Sequence, residues 1–211
     1  MSRELTILRE TFDVAITNNG YEPFTLKNVG RDNLGTIWTA LGYQTAVEVG
    51  TGYGYFTEQL AKTTPENFSI TTIDTRRHPR AVRRLSVYPK VTMLHRQSQT
   101  ASRTFVDESL DCVYIDGAHD FYSVALDIHE WSKKVRPGGM VCGHDFLMPN
   151  APTWAAAPEY CGQVRWAVDA YVRSFRITPW FVLGTPESLP GVGGRAPVDV
   201  YTWCWIKGTH A

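Results

Sequence analysis

Acids and histidines stand close together at two places in the second half of the sequence. Asp116 and His119 belong to "IDGAHD", and His144 and Asp145 are neighbours in "CGHDF". Carboxylate oxygens and imidazole nitrogens are ligands for divalent metal ions. An imidazole also titrates near neutral pH, so it can accept a proton from a hydroxyl group. A metal site and a metal-free acid–base site are both open on this pattern.

Three glycines at alternate positions follow an apolar run in the first third of the chain. They are Gly50, Gly52 and Gly54 in "AVEVGTGYGYF", and the acid Glu48 stands two residues before the first of them. Glycine lacks a Cβ atom, so such a loop can turn tightly and touch a ligand. The spacing differs from the G-x-G-x-x-G pattern that meets a pyrophosphate. The loop therefore favours an adenosyl ligand without phosphate, and a tight strand-to-helix turn is the alternative.

A further acid, Asp74, stands where a ribose-binding carboxylate is expected. It ends the apolar run "SITTID", 24 residues after Gly50. A carboxylate in this position can accept hydrogen bonds from both ribose hydroxyl groups. Arg76 and Arg77 follow it and could instead meet a 2′-phosphate. An NADP-linked oxidoreductase is therefore the alternative to an adenosyl-binding enzyme.

Alternating apolar runs and amphipathic segments must position these side chains. The pattern predicts strands over 46–49, 69–74, 90–95, 110–116 and 140–145. It predicts helices over 54–63, 79–86, 99–106, 120–134 and 164–175. This alternation is typical of an α/β, Rossmann-like, doubly wound sheet with helices on both faces. Ligands of such folds bind beyond the carboxyl ends of the strands, where the glycine loop and the acids lie.

The two ends of the chain differ from this core. Amphipathic patterns predict helices over 3–17 and 31–42. Two apolar runs near the other end predict strands over 180–184 and 199–208. These two strands would form a hairpin that adds an antiparallel edge to the parallel sheet.

We expect one domain over residues 1–211. It would consist of an N-terminal helical extension (1–43), a cofactor-binding core (44–175) and a terminal β-hairpin (176–211). Trp154 lies in the Pro/Ala-rich segment 148–162, which follows the His144–Asp145 pair. That segment reads equally as a substrate lid or as a plain surface connection.

The composition of the chain argues against some classes of binding partner. Of the 211 residues, 21 are basic and 21 are acidic, and a net charge of zero argues against a nucleic-acid partner. No apolar run reaches the ~18 residues that cross a bilayer. The start of the chain, "MSRELTILRETFD", lacks the apolar core of a signal peptide. We therefore expect a cytoplasmic protein with a small-molecule substrate and no membrane contact, and we leave a homo-oligomer open.

Three segments resemble the class I S-adenosylmethionine-dependent methyltransferases: "VEVGTGYG", "TTID" and "DCVYIDGAHDFYSVALDIHEWSKKVRPGGMVCGHDF". They are most similar to a bacterial small-molecule O-methyltransferase branch with macrocin-type sugar O-methyltransferases and cephalosporin hydroxylase-like proteins. Catechol O-methyltransferases are more distant. The resemblance covers about residues 44–175. It implies S-adenosylmethionine as the cofactor and a sheet of seven strands, mostly parallel, whose last strand is antiparallel.

The resemblance also implies roles for individual residues. It implies cofactor contacts at nine positions: Glu48, Gly50, Thr51, Gly52, Tyr53, Asp74, Gln97, Ser98 and Asp116. It implies a divalent-metal site formed by Asp116, His144 and Asp145. It further implies that His119 is the general base and acts together with Asp116 and Asp145.

His144 departs from the pattern of the metal-dependent relatives, which more often place an oxygen ligand there. Magnesium prefers oxygen ligands, so a histidine favours manganese, iron or another transition metal, or a site without metal. We expect an O-methyltransferase for the hydroxyl group of a sugar, a phenol or a natural product. The alternatives are an NADP-linked oxidoreductase and a non-catalytic adenosyl-binding module.

Overall fold

A mixed sheet with helices on both faces forms the body of the protein. The structure is a computed structural model that describes residues 2–13, 20–147, 162–185, 187–189 and 198–208. Nearly all of segment 148–162, including Trp154, lies outside the described residues. Its interpretation as a lid or a connection therefore stays a prediction.

Nine strands and seven helices alternate along the described chain. The strands are β1 (Phe24–Leu26), β2 (Thr45–Val49), β3 (Ser69–Asp74), β4 (Val91–His95), β5 (Leu110–Ile115), β6 (Val135–Phe146), β7 (Trp180–Leu183), β8 (Glu187–Leu189) and β9 (Val198–Ile206). The helices are α1 (Arg3–Phe12), α2 (Leu34–Ala40), α3 (Tyr55–Thr63), α4 (Pro79–Leu85), α5 (Ser98–Ser102), α6 (Phe121–Lys134) and α7 (Gly162–Ser174). A 3-10 turn over Arg31–Asn33 precedes α2. The predicted α/β class is confirmed, and all seven predicted strands are present.

Eight strands form one sheet in the order β1-β7-β9-β6-β5-β2-β3-β4, and β8 pairs with β9 beside it. In the eight-stranded sheet β9 runs antiparallel to both of its neighbours, while the other neighbouring strands pair in parallel. The predicted antiparallel last strand is therefore confirmed.

β7 and β9 pair antiparallel, as expected of the predicted hairpin, and they extend the parallel strands beyond β6. β9 lies between β6 and β7, and β1 pairs with the far side of β7, so the antiparallel strand is inside the sheet. Val200, Trp203 and Trp205 of β9 are all buried. A strand whose side chains are buried in this way is suited to the interior of a sheet rather than to its edge.

Two short strands, β1 and β8, raise the strand count above the seven predicted. β1 pairs in parallel with β7, with Phe24 opposite Phe181. The N-terminal extension 1–43 is therefore not purely helical. A run of three residues carries too little alternation to be recognised as a strand, and its pairing with a distant strand decides its conformation.

Strand β6 begins five residues earlier than the predicted strand 140–145. The "RPGG" segment stays within the strand as an irregularity, since Leu110 pairs with Val135 whereas Cys112 pairs with Met140. Gly138 adopts a positive φ of 77° there. Proline and glycine signal a break in sequence, but here they form a local distortion of one long strand.

Two buried apolar layers cover the two faces of the sheet. Cys112 and Tyr114 of β5 point into the layer shared with α1, α2 and α3. Val113 and Ile115 point into the layer shared with α5, α6 and α7. This alternation follows from the two-residue period of a strand.

None of the described helices is both long and apolar enough to span a membrane.

Candidate active site

One open cleft of about 770 Å³ lies at the carboxyl ends of β2, β3, β4 and β5. Its volume is within the range of small-molecule sites, roughly 300–1,000 Å³. All nine residues predicted to contact the cofactor line it: Glu48, Gly50, Thr51, Gly52, Tyr53, Asp74, Gln97, Ser98 and Asp116. They meet there because the carboxyl ends of parallel strands share one edge of the sheet.

The glycines of the loop after β2 serve different purposes. A Cβ atom on Gly50 would stand 1.8 Å from the carbonyl oxygen of Asp116, so this glycine lets β2 and β5 converge. A Cβ atom on Gly54 would meet Leu85 at 3.2 Å. Gly52 has a φ of 51° and open space around its Cα. Of the three, only Gly52 leaves room for a ligand to approach the backbone.

Asp74 is fixed at the end of β3 by two backbone donors. Gly52 N–H donates to Oδ2 at 2.9 Å, and Arg76 N–H donates to Oδ1 at 2.8 Å. A carboxylate has about four lone-pair sites, so both oxygens can accept further hydrogen bonds from a ligand. The same contacts tie the glycine loop to the residue predicted to bind ribose.

Glu48 is buried beneath this loop, with 1 % of its surface exposed. Its Oε2 accepts hydrogen bonds from Thr57 and from Thr72, the latter at 2.6 Å. Thr51 continues the network, with its hydroxyl oxygen 2.7 Å from that of Thr72. Burial raises the pKa of Glu48 to about 8, against the lowering effect of both hydroxyl groups. Glu48 is therefore mostly protonated at neutral pH.

A second buried carboxyl group, on Asp127 of α6, lines the cleft and was absent from the sequence prediction. Gln99 donates to its Oδ1 at 3.0 Å. Burial raises the pKa of Asp127 to about 6, while hydrogen bonds from Ser98 and Gln99 oppose the shift. The sequence does contain a signal for a buried carboxyl group here, because Asp127 lies between Val124 and Trp131 on the apolar face of its helix.

Asp116, His119, His144 and Asp145 come together at the ends of β5 and β6, and we name them the acid–histidine cluster. Nε2 of His119 lies 2.7 Å from Oδ2 of Asp145. Nδ1 of His144 lies 3.3 Å from Oδ1 of Asp145 and 3.9 Å from Oδ1 of Asp116. The predicted convergence of these four side chains is therefore observed, and Asp116 and His119 face the cleft.

The charges of the acid–histidine cluster balance one another. Burial alone would raise the pKa of Asp145, but hydrogen bonds and charge from His119 and His144 hold it below its usual value. Burial opposes the charged form of His119, yet its hydrogen bond to Asp145 and the nearby carboxylates raise its pKa overall. Burial also raises the pKa of Asp116 to about 6, although His144 counteracts it. The contact between Nε2 of His119 and Oδ2 of Asp145 thus links the titration of the two groups.

Asp145 has a left-handed backbone, with a φ of 58°. Asp tolerates this region better than most residues, because its short polar side chain can bond locally. Non-glycine residues in such conformations concentrate at functional sites. Asp145 lies within β6, at an irregularity between Gly143 and Phe146, and its side chain contacts both histidines.

Arg31, from the 3-10 turn before α2, also reaches the cleft and was missed by the sequence prediction. Its Nη1 lies 3.4 Å from Oδ2 of Asp116, and its guanidinium group lies 5.0 Å from the ring centre of Phe56. Asp116 therefore turns one oxygen to Arg31 and the other to the histidines. Arg31 is 85 residues from Asp116 in sequence, so no local pattern could connect the two.

The donor set of the cluster fits a divalent metal ion. Asp116, His144 and Asp145 each offer one ligand atom, and these three atoms lie within 4.8 Å of one another. Ligand atoms placed ~2.0–2.5 Å from a shared ion lie at most about 5 Å apart. The same three residues were predicted from the sequence. One nitrogen and two carboxylates suit manganese, iron or zinc better than magnesium, which prefers oxygen ligands.

Residues 47–146 match the family model described as a methyltransferase domain. This segment contains β2 to β6, the glycine loop and all four members of the acid–histidine cluster. The matched segment makes up 100 of the 211 residues, and it makes this chain similar to S-adenosylmethionine-dependent methyltransferases. The match supports the methyltransferase expectation over the oxidoreductase alternative.

Solved structures with the same fold include several O-methyltransferases. The Streptomyces achromogenes O-methyltransferase TomG, involved in tomaymycin synthesis and solved with S-adenosylmethionine, is 17 % identical with a TM-score of 0.59, and the match covers 99 % of this chain and 91 % of that one. A Bacillus cereus O-methyltransferase solved with S-adenosylhomocysteine is 17 % identical with a TM-score of 0.56, covering 97 % and 89 %. A Thermotoga maritima enzyme of the same type is 14 % identical with a TM-score of 0.57, covering 97 % and 72 %. At such low sequence identities, these structural matches show a common fold and nothing more. No curated protein matches the sequence significantly.

The raised pKa of Glu48 predicts a specific dependence of stability on pH. The ordinary pKa of 4.5 applies to the unfolded chain, and the folded value is about 8. The native state therefore holds one more proton between these values, and stability falls as pH rises through this window. Glu48→Gln removes the titration. As the pH rises through this window, the free energy of unfolding of Glu48→Gln should increase relative to that of the wild type by roughly 1 kcal/mol per pH unit.

Urea unfolding of the ligand-free protein between pH 5 and pH 8 measures this difference. Glu66→Gln, at an exposed position, is the matched control and should follow the wild type. A difference between Glu48→Gln and wild type that stays constant across the range would contradict the assignment.

Proposed function

We propose that the protein transfers a methyl group from S-adenosylmethionine to a hydroxyl oxygen of a small molecule. One observation carries the proposal: Asp116 and His119 of the acid–histidine cluster line the same cleft as Gly52 and Asp74. A cofactor bound by its ribose at Asp74 would place its reactive end toward Asp116. The chemistry of the cluster then acts where the methyl group is transferred.

The cleft suits this cofactor in shape and in chemistry. Gly52 leaves open space for the adenosine, and Asp74 offers acceptor oxygens for the ribose hydroxyl groups. Gln97 and Ser98 follow β4 at the far end of the cleft, where amide and hydroxyl groups can meet the adenine edge. Ser98 is held in place there by the indole N–H of Trp131, which donates to its Oγ at 2.8 Å.

Asp116, His144 and Asp145 are the residues that would hold a divalent ion in this site. When bound, such an ion supplies a positive charge that lowers the pKa of a nearby hydroxyl group. The residues themselves orient one another through the contacts already described, and Arg31 keeps Oδ2 of Asp116 turned away from the two histidines.

His119 is the group that we propose as general base. A neutral His119 that donates Nε2–H to Asp145 has its lone pair on Nδ1. The acceptor hydroxyl gives its proton to His119 as its oxygen attacks the methyl carbon. The O–CH₃ bond forms while the S–CH₃ bond breaks, and the electron pair stays on sulfur. Asp145 stabilises the imidazolium that results, as in other carboxylate–histidine pairs.

The ribose role of Asp74 is tested by Asp74→Ala. Hydrogen bonds to a charged acceptor are worth ~1.5–3 kcal/mol, so the affinity for S-adenosylhomocysteine should fall about ten- to a hundredfold. Calorimetric titration measures the dissociation constant directly. Asp107→Ala, at an exposed carboxylate far from the cleft, should bind like the wild type. An unchanged dissociation constant in folded Asp74→Ala protein would remove the ribose role.

The metal proposal predicts that the protein binds one equivalent of Mn²⁺. Titration followed by the electron paramagnetic resonance signal of free Mn²⁺ should show saturable binding, lost in His144→Ala and Asp145→Asn because each removes a ligand. His95→Ala, at an exposed histidine, is the control. Equal Mn²⁺ binding by His144→Ala and wild type would exclude this site. Full methyl transfer after exhaustive EDTA treatment would exclude a metal from the reaction.

The base assignment predicts a large kinetic effect with little effect on binding. His119→Gln should slow single-turnover methyl transfer by ~10²–10⁴, the usual contribution of a general base. Its affinity for S-adenosylhomocysteine should stay near the wild-type value. The acceptor is one from a panel of catechols and sugars that wild-type protein methylates. A variant with wild-type turnover would rule out His119 as the base.

A further inference from the structure

A second cavity, of about 270 Å³, lies beside the acid–histidine cluster, and we name it the side cavity. His144 lines the side cavity, whereas Asp116 and His119 line the cleft described above. Arg31 lines both. The cluster therefore stands at the junction of two cavities.

The order of the strands explains this arrangement. The cleft lies at the ends of β2, β3, β4 and β5. The side cavity is lined by residues of β6 and β9 and by Thr185, just beyond β7. These strands continue the sheet on the other side of β5, in the order β5-β6-β9-β7. The two cavities thus occupy different halves of the same edge of the sheet and meet between β5 and β6.

One wall of the side cavity is the turn before α2, and the sheet holds that turn in place. Gly30 N–H donates to Oδ1 of Asn33 at 2.9 Å, which closes the turn. Thr185 N–H donates to the carbonyl oxygen of Val29 at 2.9 Å. A Cβ atom on Gly30 would lie 3.1 Å from Cβ of Thr185. The turn therefore packs directly on the end of β7, and the wall is preformed.

Hydrogen-bonding side chains dominate the described lining of the side cavity. Asp32, Asn33 and Thr185 contribute a carboxylate, an amide and a hydroxyl group, and all three residues are exposed. Thr202 of β9 is buried, and its hydroxyl oxygen lies 3.3 Å from that of Tyr114. A hydroxyl group has one donor and two acceptor positions, so Thr202 can contact a ligand as well as Tyr114.

This lining suits an uncharged molecule with hydroxyl groups on several edges. A sugar ring offers donors and acceptors around its whole rim, and carboxylate, amide and hydroxyl groups can meet them. Small-molecule sites are more usually lined by hydrophobic and aromatic side chains. Here Val200 is the one apolar side chain in the described lining, and none of those residues is Phe, Tyr or Trp. The formal charges of Arg31 and Asp32 cancel.

The size of the side cavity indicates a small ligand. Its volume of about 270 Å³ lies just below the usual range for small-molecule sites, roughly 300–1,000 Å³. It therefore suits a single ring or one ring of a larger molecule.

The side cavity is formed mainly by parts of the chain outside the segment that matches the methyltransferase model. Of its described lining residues, only His144 lies within 47–146. The described lining of the cleft lies within that segment apart from Arg31. Such a division is expected where a common domain binds the cofactor and flanking segments select the acceptor.

We infer that the side cavity binds the methyl acceptor and that this acceptor is an uncharged polyhydroxylated molecule of the sugar type. The inference rests on the proposed function, since it assumes the cofactor in the cleft. Direct displacement needs the acceptor oxygen in line with the S–CH₃ bond, and a molecule in the side cavity can reach the methyl group from beside the cofactor. The bonds are those of the proposed transfer: O–CH₃ forms, S–CH₃ breaks, and the hydroxyl proton passes to His119.

The acceptor class is tested with two sets of probes on protein saturated with S-adenosylhomocysteine. One set contains methyl glycosides of pentoses, hexoses and deoxyhexoses, and the other contains catechol and its monosubstituted derivatives. Saturation-transfer NMR measures binding without turnover, and transfer from radiolabelled S-adenosylmethionine measures methylation. We expect binding and methylation of at least one glycoside, with kcat/KM at least tenfold above that of any catechol.

The location is tested by two substitutions, with the preferred glycoside as substrate. Asp32→Ala removes a charged acceptor and should lower kcat/KM about tenfold, mainly through KM. Thr202→Val should lower it about three- to tenfold, and Thr202→Ser, which keeps the hydroxyl group, should restore most of the loss. Calorimetry should give a wild-type affinity for S-adenosylhomocysteine in all three variants. Glu66→Ala is the matched control, because Glu66 is exposed and lines neither cavity.

Several results would overturn the inference and leave the proposed function standing. They are methylation of a catechol in preference to every glycoside, no binding or methylation of any glycoside, and wild-type kinetics in both Asp32→Ala and Thr202→Val. Loss of affinity for S-adenosylhomocysteine in parallel with the loss of kcat/KM would also overturn it, because these residues would then only maintain the shape of the cleft. Wild-type protein that does not bind S-adenosylhomocysteine would overturn the proposed function as well.

Discussion

The close approach of β2 and β5 at Gly50 is the constraint on which the site depends. The Cα of Gly50 lies so near the carbonyl oxygen of Asp116 that a Cβ atom would stand 1.8 Å from it. Asp116 N–H in turn donates to the carbonyl oxygen of Val49 at 2.8 Å. The glycine loop and the first member of the acid–histidine cluster are therefore parts of one rigid junction. Any side chain at Gly50 would separate the loop from the cluster that must act beside it.

Five carboxyl groups lie in or beside the cleft, and Glu48, Asp74, Asp116 and Asp145 among them are each accommodated differently. Glu48 is buried and accepts hydrogen bonds from Thr57 and Thr72, and burial raises its pKa to about 8. Asp145 is ionised because two histidines surround it, and Asp116 lies between a histidine and Arg31. Asp74 lies at the more open end, where two backbone N–H groups donate to its carboxylate. The cleft thus offers hydrogen-bond acceptors at Asp74, where the ribose is proposed to bind. At the other end, nearby cationic groups compensate the charges of Asp116 and Asp145.

Much of the fold and of the acid–histidine cluster could be predicted because both depend on local patterns. The limits of β3 were predicted to the residue, since alternation and a terminal acid mark them. His119 and Asp145 could be predicted to lie close together, because the carboxyl ends of neighbouring parallel strands share one edge of the sheet. Arg31, β1 and the place of β9 depend on contacts between segments far apart in sequence, which no local pattern contains. Asp127 could have been predicted from the local pattern, because it places a carboxyl group on the apolar face of a helix.

The sheet order also constrains how the chain can assemble as it is synthesised. Among the described strands, β1 pairs with β7, and β7 joins the rest of the sheet through β9. Both β1 and β7 leave the ribosome before β9 does, so this pair is not linked to the other strands until residues 198–206 have emerged. The turn that bears Arg31 follows β1 and rests on the end of β7. The earliest part of the chain to reach the site is therefore among the last to be fixed there.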